Sequence, residues 1–203
     1  MIKAVIFDLG KVIVPFDIQR GYAALLPHCA FPAEELPRRI AATGIVRLFE
    51  EGRISPEDFV RQFSDALGLK LAYDRFCELW SSIFLPHTLV PDELLEGLSR
   101  RYRLLLLSNT NAIHFASLRR DYPILRHFHD LILSYEVGAM KPDPRIYQAA
   151  IERAGCRPEE CFFTDDMAPF VEAARQAGID AVQFQSAAQV ERELRSRGIE
   201  WRS

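Results

Sequence analysis

The chain has 203 residues, a length that suits one domain, or one core domain that carries a modest insertion. Apolar residues make up 49% and charged residues 26%, as in globular proteins with a filled core, and the net charge of −3 argues against a nucleic-acid partner. The four cysteines form no C-x-x-C pair and no apolar run reaches the length of a membrane span, so we expect a cytoplasmic protein with reduced thiols and no membrane contact.

The first predicted element is an apolar run over residues 4–14, which is typical of a strand buried on both faces. Asp8 interrupts this run near its middle. Because an ionised carboxylate without a partner is costly to bury, we expect Asp8 to emerge at the carboxyl end of the strand and to face a cation or a substrate. Gly10 follows and permits a close approach of the backbone. A helix cap at Asp8 is the alternative that this stretch alone leaves open.

A helical insertion is predicted next. Residues 15–86 contain no convincing strand, but apolar residues recur at helical spacing over 33–50, 55–67 and 72–84. Ser55 is a good helix cap and Pro56 suits the first helical position. We therefore expect a small all-helical cap over residues 15–86, inserted into a core formed by 1–14 and 87–203.

The rest of the chain alternates between helices and strands, the pattern of a parallel sheet covered by helices. The predicted strands are 104–107, 131–133, 161–163 and 181–184. The fold class is thus α/β, with a Rossmann-like parallel sheet, helices on both of its faces and the helical cap after its first strand.

Polar side chains lie at or just after the ends of four different strands. They are Asp8, Ser108 with Asn109, Lys141, and Asp165 with Asp166. The carboxyl ends of parallel strands share one edge of a sheet, where ligands bind. Clustered carboxylates need a cation such as Mg²⁺ to coexist, and a lysine can meet phosphate oxygens. Each of these polar residues could also have a purely structural role, as a helix cap, a turn former or a solvated loop residue. It is not plausible that all of them have such roles at once.

Four stretches resemble the four motifs of the haloacid dehalogenase-like hydrolase superfamily. The stretches are residues 7–12, 107–111, 140–143 and 163–166. The helical insertion is similar to the small α-helical cap of the subgroup that contains many sugar-phosphate phosphatases. Within that subgroup the motifs look most like those of bacterial α-glucose-1-phosphate phosphatases.

The resemblance implies a mechanism and a set of roles. Asp8 would be the nucleophile that forms an aspartyl-phosphate. Mg²⁺ would be held by Asp8, the backbone carbonyl of Gly10 and Asp166, while Asp165 would be a supporting acid. Three groups would contact the phosphoryl group: the Ser108 hydroxyl, the Asn109 backbone and the Lys141 ammonium.

Two departures from the family pattern affect this mechanism. Gly10 stands where most phosphatases of the superfamily carry a general acid, a group that contributes about 10²–10⁴ in rate. We hypothesise that its absence favours esters with good leaving groups, such as an anomeric sugar phosphate or an acyl phosphate, or protonation assisted by the substrate. Pro169 and Phe170 stand where another acid or an asparagine is common, so we expect weak Mg²⁺ affinity.

The sequence predicts a Mg²⁺-dependent phosphomonoesterase that acts on a small phosphorylated metabolite, such as a sugar 1-phosphate. We expect the protein to be a monomer or a homodimer. Carbon–halogen hydrolysis by the same nucleophile and a non-catalytic binding protein of the same fold are the alternatives. We interpret His127 and His129 as structural rather than as a metal pair. Six residues on or beside the insertion could touch a sugar, although surface or core positions are commoner for such residues: Arg47, Glu50, Glu51, Arg53, Trp80 and His87.

Overall fold

The computed structural model describes residues 1–202 and contains a five-stranded, fully parallel sheet. The strands lie in the order β3-β2-β1-β4-β5. Their bounds are β1 Ala4–Phe7, β2 Arg103–Ser108, β3 Asp130–Leu133, β4 Cys161–Asp165 and β5 Asp180–Gln183. The predicted Rossmann-like α/β fold is confirmed.

The central strand is shorter than its apolar run. β1 ends at Phe7, and the backbone then turns so that the amides of Ile13 and Val14 both donate to the carbonyl of Leu9, each over 2.9 Å. The apolar residues of this turn are buried by packing into the core and not by strand pairing. The prediction of one strand over residues 4–14 is therefore wrong beyond Phe7, because burial alone does not distinguish a strand from a tightly packed turn.

Helices cover both faces of the sheet. Alternate residues of β1 point to opposite faces, so Val5 and Phe7 join one core cluster while Ala4 and Ile6 join another. The helices that follow the insertion are α6 Asp92–Ser99, α7 Ala112–Asp121, α8 Ser134–Val137, α9 Pro144–Ala154, α10 Ala168–Gln176 and α11 Ala187–Ser196. α6, α7 and α11 pack on the first cluster, and α9 and α10 on the second.

The insertion is helical and has its own aromatic core. Its helices are α1 Ile18–Leu25, α2 Leu36–Thr43, α3 Ile45–Glu50, α4 Pro56–Leu67 and α5 Tyr73–Trp80. The ring centroids of neighbouring aromatic residues in this core lie 4.3–6.1 Å apart: Phe49, Phe59, Phe63, Phe76 and Trp80. The stretch predicted over 33–50 is divided at Gly44, whose φ of 64° ends α2. Ser55 caps α4 by accepting from the Asp58 amide, as predicted.

Two neighbouring segments connect the insertion to the sheet. The amide of Asp17 donates to Ile83 over 2.9 Å, and the amide of Leu85 donates to Pro15 over 3.0 Å. Between these bonds, Phe16 and Phe84 form an antiparallel bridge. The exact core and cap bounds stay a prediction, but both connections run side by side at one place.

Three other expectations concern smaller features. All four cysteines are free thiols, as predicted. His129 accepts a hydrogen bond from the Leu104 amide through Nδ1 over 3.0 Å, which agrees with its structural interpretation. Within residues 1–202, none of the helices has both the length and the apolar character needed to cross a membrane.

Candidate active site

The carboxyl edge of the sheet brings the predicted polar residues together. Asp8 directly follows β1, and its amide still donates to the Thr164 carbonyl of β4 over 3.0 Å. Ser108 ends β2 and Asp165 ends β4, so both lie at the same edge. Lys141 reaches this edge from the segment between α8 and α9. Parallel pairing thus places groups that are far apart in sequence in one crevice.

Lys141 lies at the centre of this arrangement. Its Nζ donates to Asp8 Oδ1 over 2.6 Å, to Asp165 Oδ2 over 2.5 Å and to the Leu107 carbonyl over 3.1 Å. The lysine side chain is 1% exposed, and those of the two aspartates are 9% and 0% exposed. An ammonium group has three protons, and here each has an acceptor. The lysine is therefore held rigidly, with its charge directed at both carboxylates.

Asn109 fixes the backbone of Lys141. The asparagine Oδ1 accepts from the Lys141 amide over 2.7 Å, and its Nδ2 donates to the Lys141 carbonyl over 3.0 Å. This side-chain contact joins the end of β2 to the segment that carries Lys141. It was not predicted from the sequence, because the predicted phosphate contact of Asn109 involved only its backbone. An asparagine has one acceptor and one donor group on the same amide, which suits a clamp on both polar groups of one residue.

Asp165 uses both of its carboxylate oxygens within the protein. Oδ2 accepts from Lys141, and Oδ1 accepts from the Met167 amide over 2.8 Å. The ring of Phe170 lies close by, with its centroid 5.3 Å from Lys141 Nζ. Phe170, one of the departures noted above, thus forms an apolar wall beside the lysine.

The carboxylates are electrostatically crowded. Burial raises the pKa of Asp8, with repulsion from Asp165 adding to this effect, and Lys141 offsets only part of it. Burial also raises the pKa of the half-buried Asp166, again with Asp165 contributing. For Lys141, burial lowers the pKa, but attraction to Asp8 and Asp165 outweighs burial, so its pKa is raised and the ammonium stays charged. Three carboxylates meet the buried ammonium of Lys141, and Lys11 attracts Asp166 as well, so an excess of negative charge remains.

A hard divalent cation fits this excess charge. Asp8, Asp165 and Asp166 each offer an oxygen, and these oxygens lie within 4.8 Å of one another. Carboxylate oxygens are the protein ligands that Mg²⁺ prefers. Because both oxygens of Asp165 already accept hydrogen bonds, Asp8 and Asp166 have the freer oxygens for a cation.

Ser108 has an available hydroxyl group. The residue is 2% exposed, and its Oγ lies 3.4 Å from the Asn109 carbonyl, which is long for a hydrogen bond donated by a hydroxyl. Its donor is therefore free to contact a ligand oxygen. Gly10 follows Asp8 by two residues, is half-buried and forms an isolated bridge with Val14.

The candidate sugar contacts on the insertion fall into different environments. Arg47 and Arg53 both pair with Glu51, at 2.8 and 3.5 Å, and both arginines are exposed. Trp80 is buried, and its ring stacks on His114 with the centroids 5.2 Å apart. These contacts agree with surface and core positions. Glu50 differs from them because burial raises the pKa of its carboxyl to about 7.

Comparisons with known proteins agree with this geometry. The family model for haloacid dehalogenase-like hydrolases matches residues 2–178. The chain is 29% identical to a D-ribitol-5-phosphate phosphatase of Bacteroides thetaiotaomicron, over 96% of this chain and 97% of that protein. It is 30% identical to a phosphatase of Mycobacterium tuberculosis, over 89% of this chain and 86% of that one. A solved structure of a B. thetaiotaomicron enzyme of the same family, in complex with magnesium and inorganic phosphate, superposes with a TM-score of 0.82 at 28% identity, covering 92% of this chain and 96% of that one.

Proposed function

The chain belongs to the haloacid dehalogenase-like hydrolases, and from this membership we propose that it is a Mg²⁺-dependent phosphomonoesterase that acts on a small phosphorylated metabolite. The observation that carries the proposal is the buried contact of Lys141 with Asp8 and Asp165, with Asp166 beside them. The lysine provides positive charge for a phosphoryl group, and the carboxylates provide oxygen ligands for a hard cation. A phosphate ester bound with Mg²⁺ requires both.

Asp8 is the proposed nucleophile. One of its oxygens attacks phosphorus to form an aspartyl-phosphate, and the bond from phosphorus to the ester oxygen breaks, with its electron pair going to that oxygen. The leaving oxygen becomes an alcohol by taking a proton from water or from the substrate. Water then attacks this phosphorus, which releases inorganic phosphate and restores the carboxylate. Lys141 holds Oδ1 of Asp8 over 2.6 Å, so the carboxylate keeps one orientation while its other oxygen stays outside that hydrogen bond. A fixed orientation lowers the entropic part of the barrier.

The phosphoryl oxygens are proposed to be bound by Ser108, the Asn109 backbone and Lys141. The free hydroxyl of Ser108 supports its role as a donor. Lys141 offsets charge that develops on the phosphoryl group, and the Asn109 side chain keeps the lysine backbone in place. Rigid donors of this kind stabilise a transition state without having to reorganise.

Mg²⁺ is proposed to be held by Asp8, Asp166 and the backbone carbonyl of Gly10. When bound, it neutralises charge on the carboxylates and on the phosphoryl oxygens. We propose that Asp165 positions Lys141, since both oxygens of this supporting acid are already engaged. The acidic cluster favours phosphate over halogen chemistry, because carbon–halogen hydrolysis by a carboxylate needs no cation.

The proposed substrate is a sugar or polyol phosphate. Similarity to a D-ribitol-5-phosphate phosphatase over nearly the whole chain supports this class. A sugar 1-phosphate is the finer alternative, since its anomeric oxygen leaves without strong acid assistance. The two differ in the acidity of the leaving oxygen, so direct comparison of them tells which kind of ester the site favours.

The test is phosphate release from D-ribitol 5-phosphate, glucose 1-phosphate and an aryl phosphate, with and without Mg²⁺. The intact protein is compared with Asp8→Asn and with the control Asp65→Asn, which changes an exposed aspartate on α4. We expect turnover that needs both Mg²⁺ and Asp8 and is unchanged in the control.

Two other outcomes would contradict the proposal. Release of halide from a haloacid without metal would indicate the dehalogenase alternative. Tight binding of a phosphate ester with no turnover, unchanged by Asp8→Asn, would indicate a binding protein.

A further inference from the structure

Glycine suits position 10 because of the atoms that surround it and not because of its backbone conformation. It is not among the glycines of the described chain with positive φ, so its backbone conformation is open to other residues. A Cβ atom added at Gly10 would lie 2.7 Å from Cε1 and 3.3 Å from Cδ1 of Phe16. The first distance is far below van der Waals contact. The phenyl ring therefore occupies the direction that any side chain at position 10 would take.

Contacts on several sides hold this ring in place. Its backbone is fixed by the bridge to Phe84, and the two rings meet edge to face with their centroids 6.5 Å apart. Phe84 in turn meets His114 edge to face at 5.2 Å, and His114 stacks on Trp80. On the other side, Lys11 Nζ lies 5.2 Å from the centroid of the Phe16 ring. A shift of the ring away from position 10 would therefore disturb its contacts with Phe84 and Lys11.

We propose that Phe16 is a specificity-determining residue that fills the place of a general acid beside the nucleophile. This inference rests on the proposed phosphatase function and deepens it. Position 10 lies two residues after Asp8, and its side-chain direction is closed by an apolar ring. The ring therefore leaves no room for a carboxyl side chain at this position. The phenyl ring that fills the space has no acidic proton to donate.

The apolar ring of Phe16 determines how the leaving oxygen can obtain a proton. When Asp8 attacks phosphorus, the electron pair of the breaking bond goes to the ester oxygen. Without a carboxyl at position 10, this oxygen must leave as an anion or take its proton from another source, such as water or the substrate itself. Among the sugar and polyol phosphates proposed above, this ring therefore favours those with an acidic ester oxygen, such as an anomeric phosphate, over those on an ordinary alcohol. Acyl and aryl phosphates are favoured over simple alkyl phosphates for the same reason.

The test combines substitutions at both positions. The variants are Gly10→Asp, Gly10→Asp/Phe16→Ala and the matched control Gly10→Asn/Phe16→Ala, whose amide has a similar size but donates no acidic proton. The measured quantity is the ratio of kcat/KM for glycerol phosphate to that for 4-nitrophenyl phosphate. A general acid contributes about 10²–10⁴ to rate, so we expect the ratio to rise by at least about tenfold in Gly10→Asp/Phe16→Ala alone.

Two results would overturn the inference. One is an equal ratio in the two double variants, because the carboxyl would then have no access to the leaving oxygen. The other is a full gain in Gly10→Asp without the change at Phe16, because the ring would then not be the obstacle. Absence of Asp8-dependent phosphate release from every substrate is a different result, which contradicts the proposed function.

A stability measurement tests the steric part independently of activity. Gly10→Ala is made in the intact chain and in the Phe16→Ala background, and Tm is measured for all four proteins. We expect Gly10→Ala to lower Tm in the intact chain and to lower it much less when the ring is absent. Equal losses in both backgrounds would show that Phe16 does not fill this space.

Discussion

Replacing Lys141 by methionine would remove the ammonium that joins Asp8 to Asp165. Methionine keeps an apolar chain between the walls formed by Phe163 and Phe170, whose ring centroids lie 5.7 and 5.3 Å from Nζ. The lost contacts are two buried ion pairs and one hydrogen bond to a main-chain carbonyl. Leaving a buried charge without its partner costs about 3–5 kcal/mol. Since single domains have folding free energies of about 5–15 kcal/mol, this is a large share of the total.

The loss of stability should depend on pH and on Mg²⁺. Burial already raises the pKa of Asp8 in the intact site, and removal of Lys141 takes away the attraction that opposes this rise. A carboxyl whose folded pKa lies above its unfolded value destabilises the fold as pH rises through that interval. The deficit of the variant should therefore be small in acid and large above neutral pH. Added Mg²⁺ should reduce it, because the cation replaces part of the missing positive charge.

Urea denaturation followed by circular dichroism measures this deficit, at about pH 5.5 and about pH 8, with and without Mg²⁺. Lys70→Met is the matched control, because Lys70 is exposed and forms no ion pair among residues 1–202. A Lys141→Met protein as stable as the control at the higher pH without Mg²⁺ would refute the reasoning. It would mean that the lysine and the carboxylates do not meet in a buried site.

Three further predictions concern neighbouring parts of the site. Asn109→Ala removes two hydrogen bonds to the Lys141 backbone, so we expect a loss of about 2 kcal/mol in urea denaturation and a lower kcat with little change in KM. Burial lowers the pKa of His114 from its ordinary value of 6.5 to about 4, so Tm should fall as pH drops from about 6.5 toward 4, and His114→Phe should flatten this profile. Pro169→Asp adds a carboxylate in the first turn of α10, where the helix dipole favours it, and should lower the Mg²⁺ concentration for half-maximal activity by about tenfold or more. An unchanged Mg²⁺ titration would contradict the last of these.

The strands could be predicted because each buried strand is a short apolar run followed by polar residues. β2 and β4 show this most clearly, since their leucines and phenylalanines end at Ser108 and at Asp165. The end of β1 could not be predicted in the same way. Leu9 and residues 12–14 are as buried as the strand itself, but a turn buries them, and hydrophobicity reports burial and not pairing.

The site could be predicted to the extent that parallel topology determines it. Asp8 and Asp165 can both be assigned to the carboxyl ends of strands from the sequence. Because the strands of a parallel sheet end at the same edge, the two residues are then expected to lie close together. The clamp from Asn109 to Lys141 joins residues 32 positions apart through side-chain geometry, and no local pattern reports such a contact. The same holds for Phe16. Its residue type fits an ordinary apolar position, and only the folded chain places its ring against Gly10.

The paired connections of the insertion have an evolutionary consequence. Because Pro15 and Leu85 are hydrogen-bonded neighbours, the chain leaves the sheet and returns to it at nearly the same point. A segment whose ends already meet can be lengthened, shortened or exchanged at a small entropic cost, since each doubling of loop length adds only about 0.6 kcal/mol. We expect a grafted insertion from a relative to fold when it is joined at these two residues. Recombination at these two connections would keep the chemistry of the sheet edge unchanged, while a new insertion would change which substrates reach it.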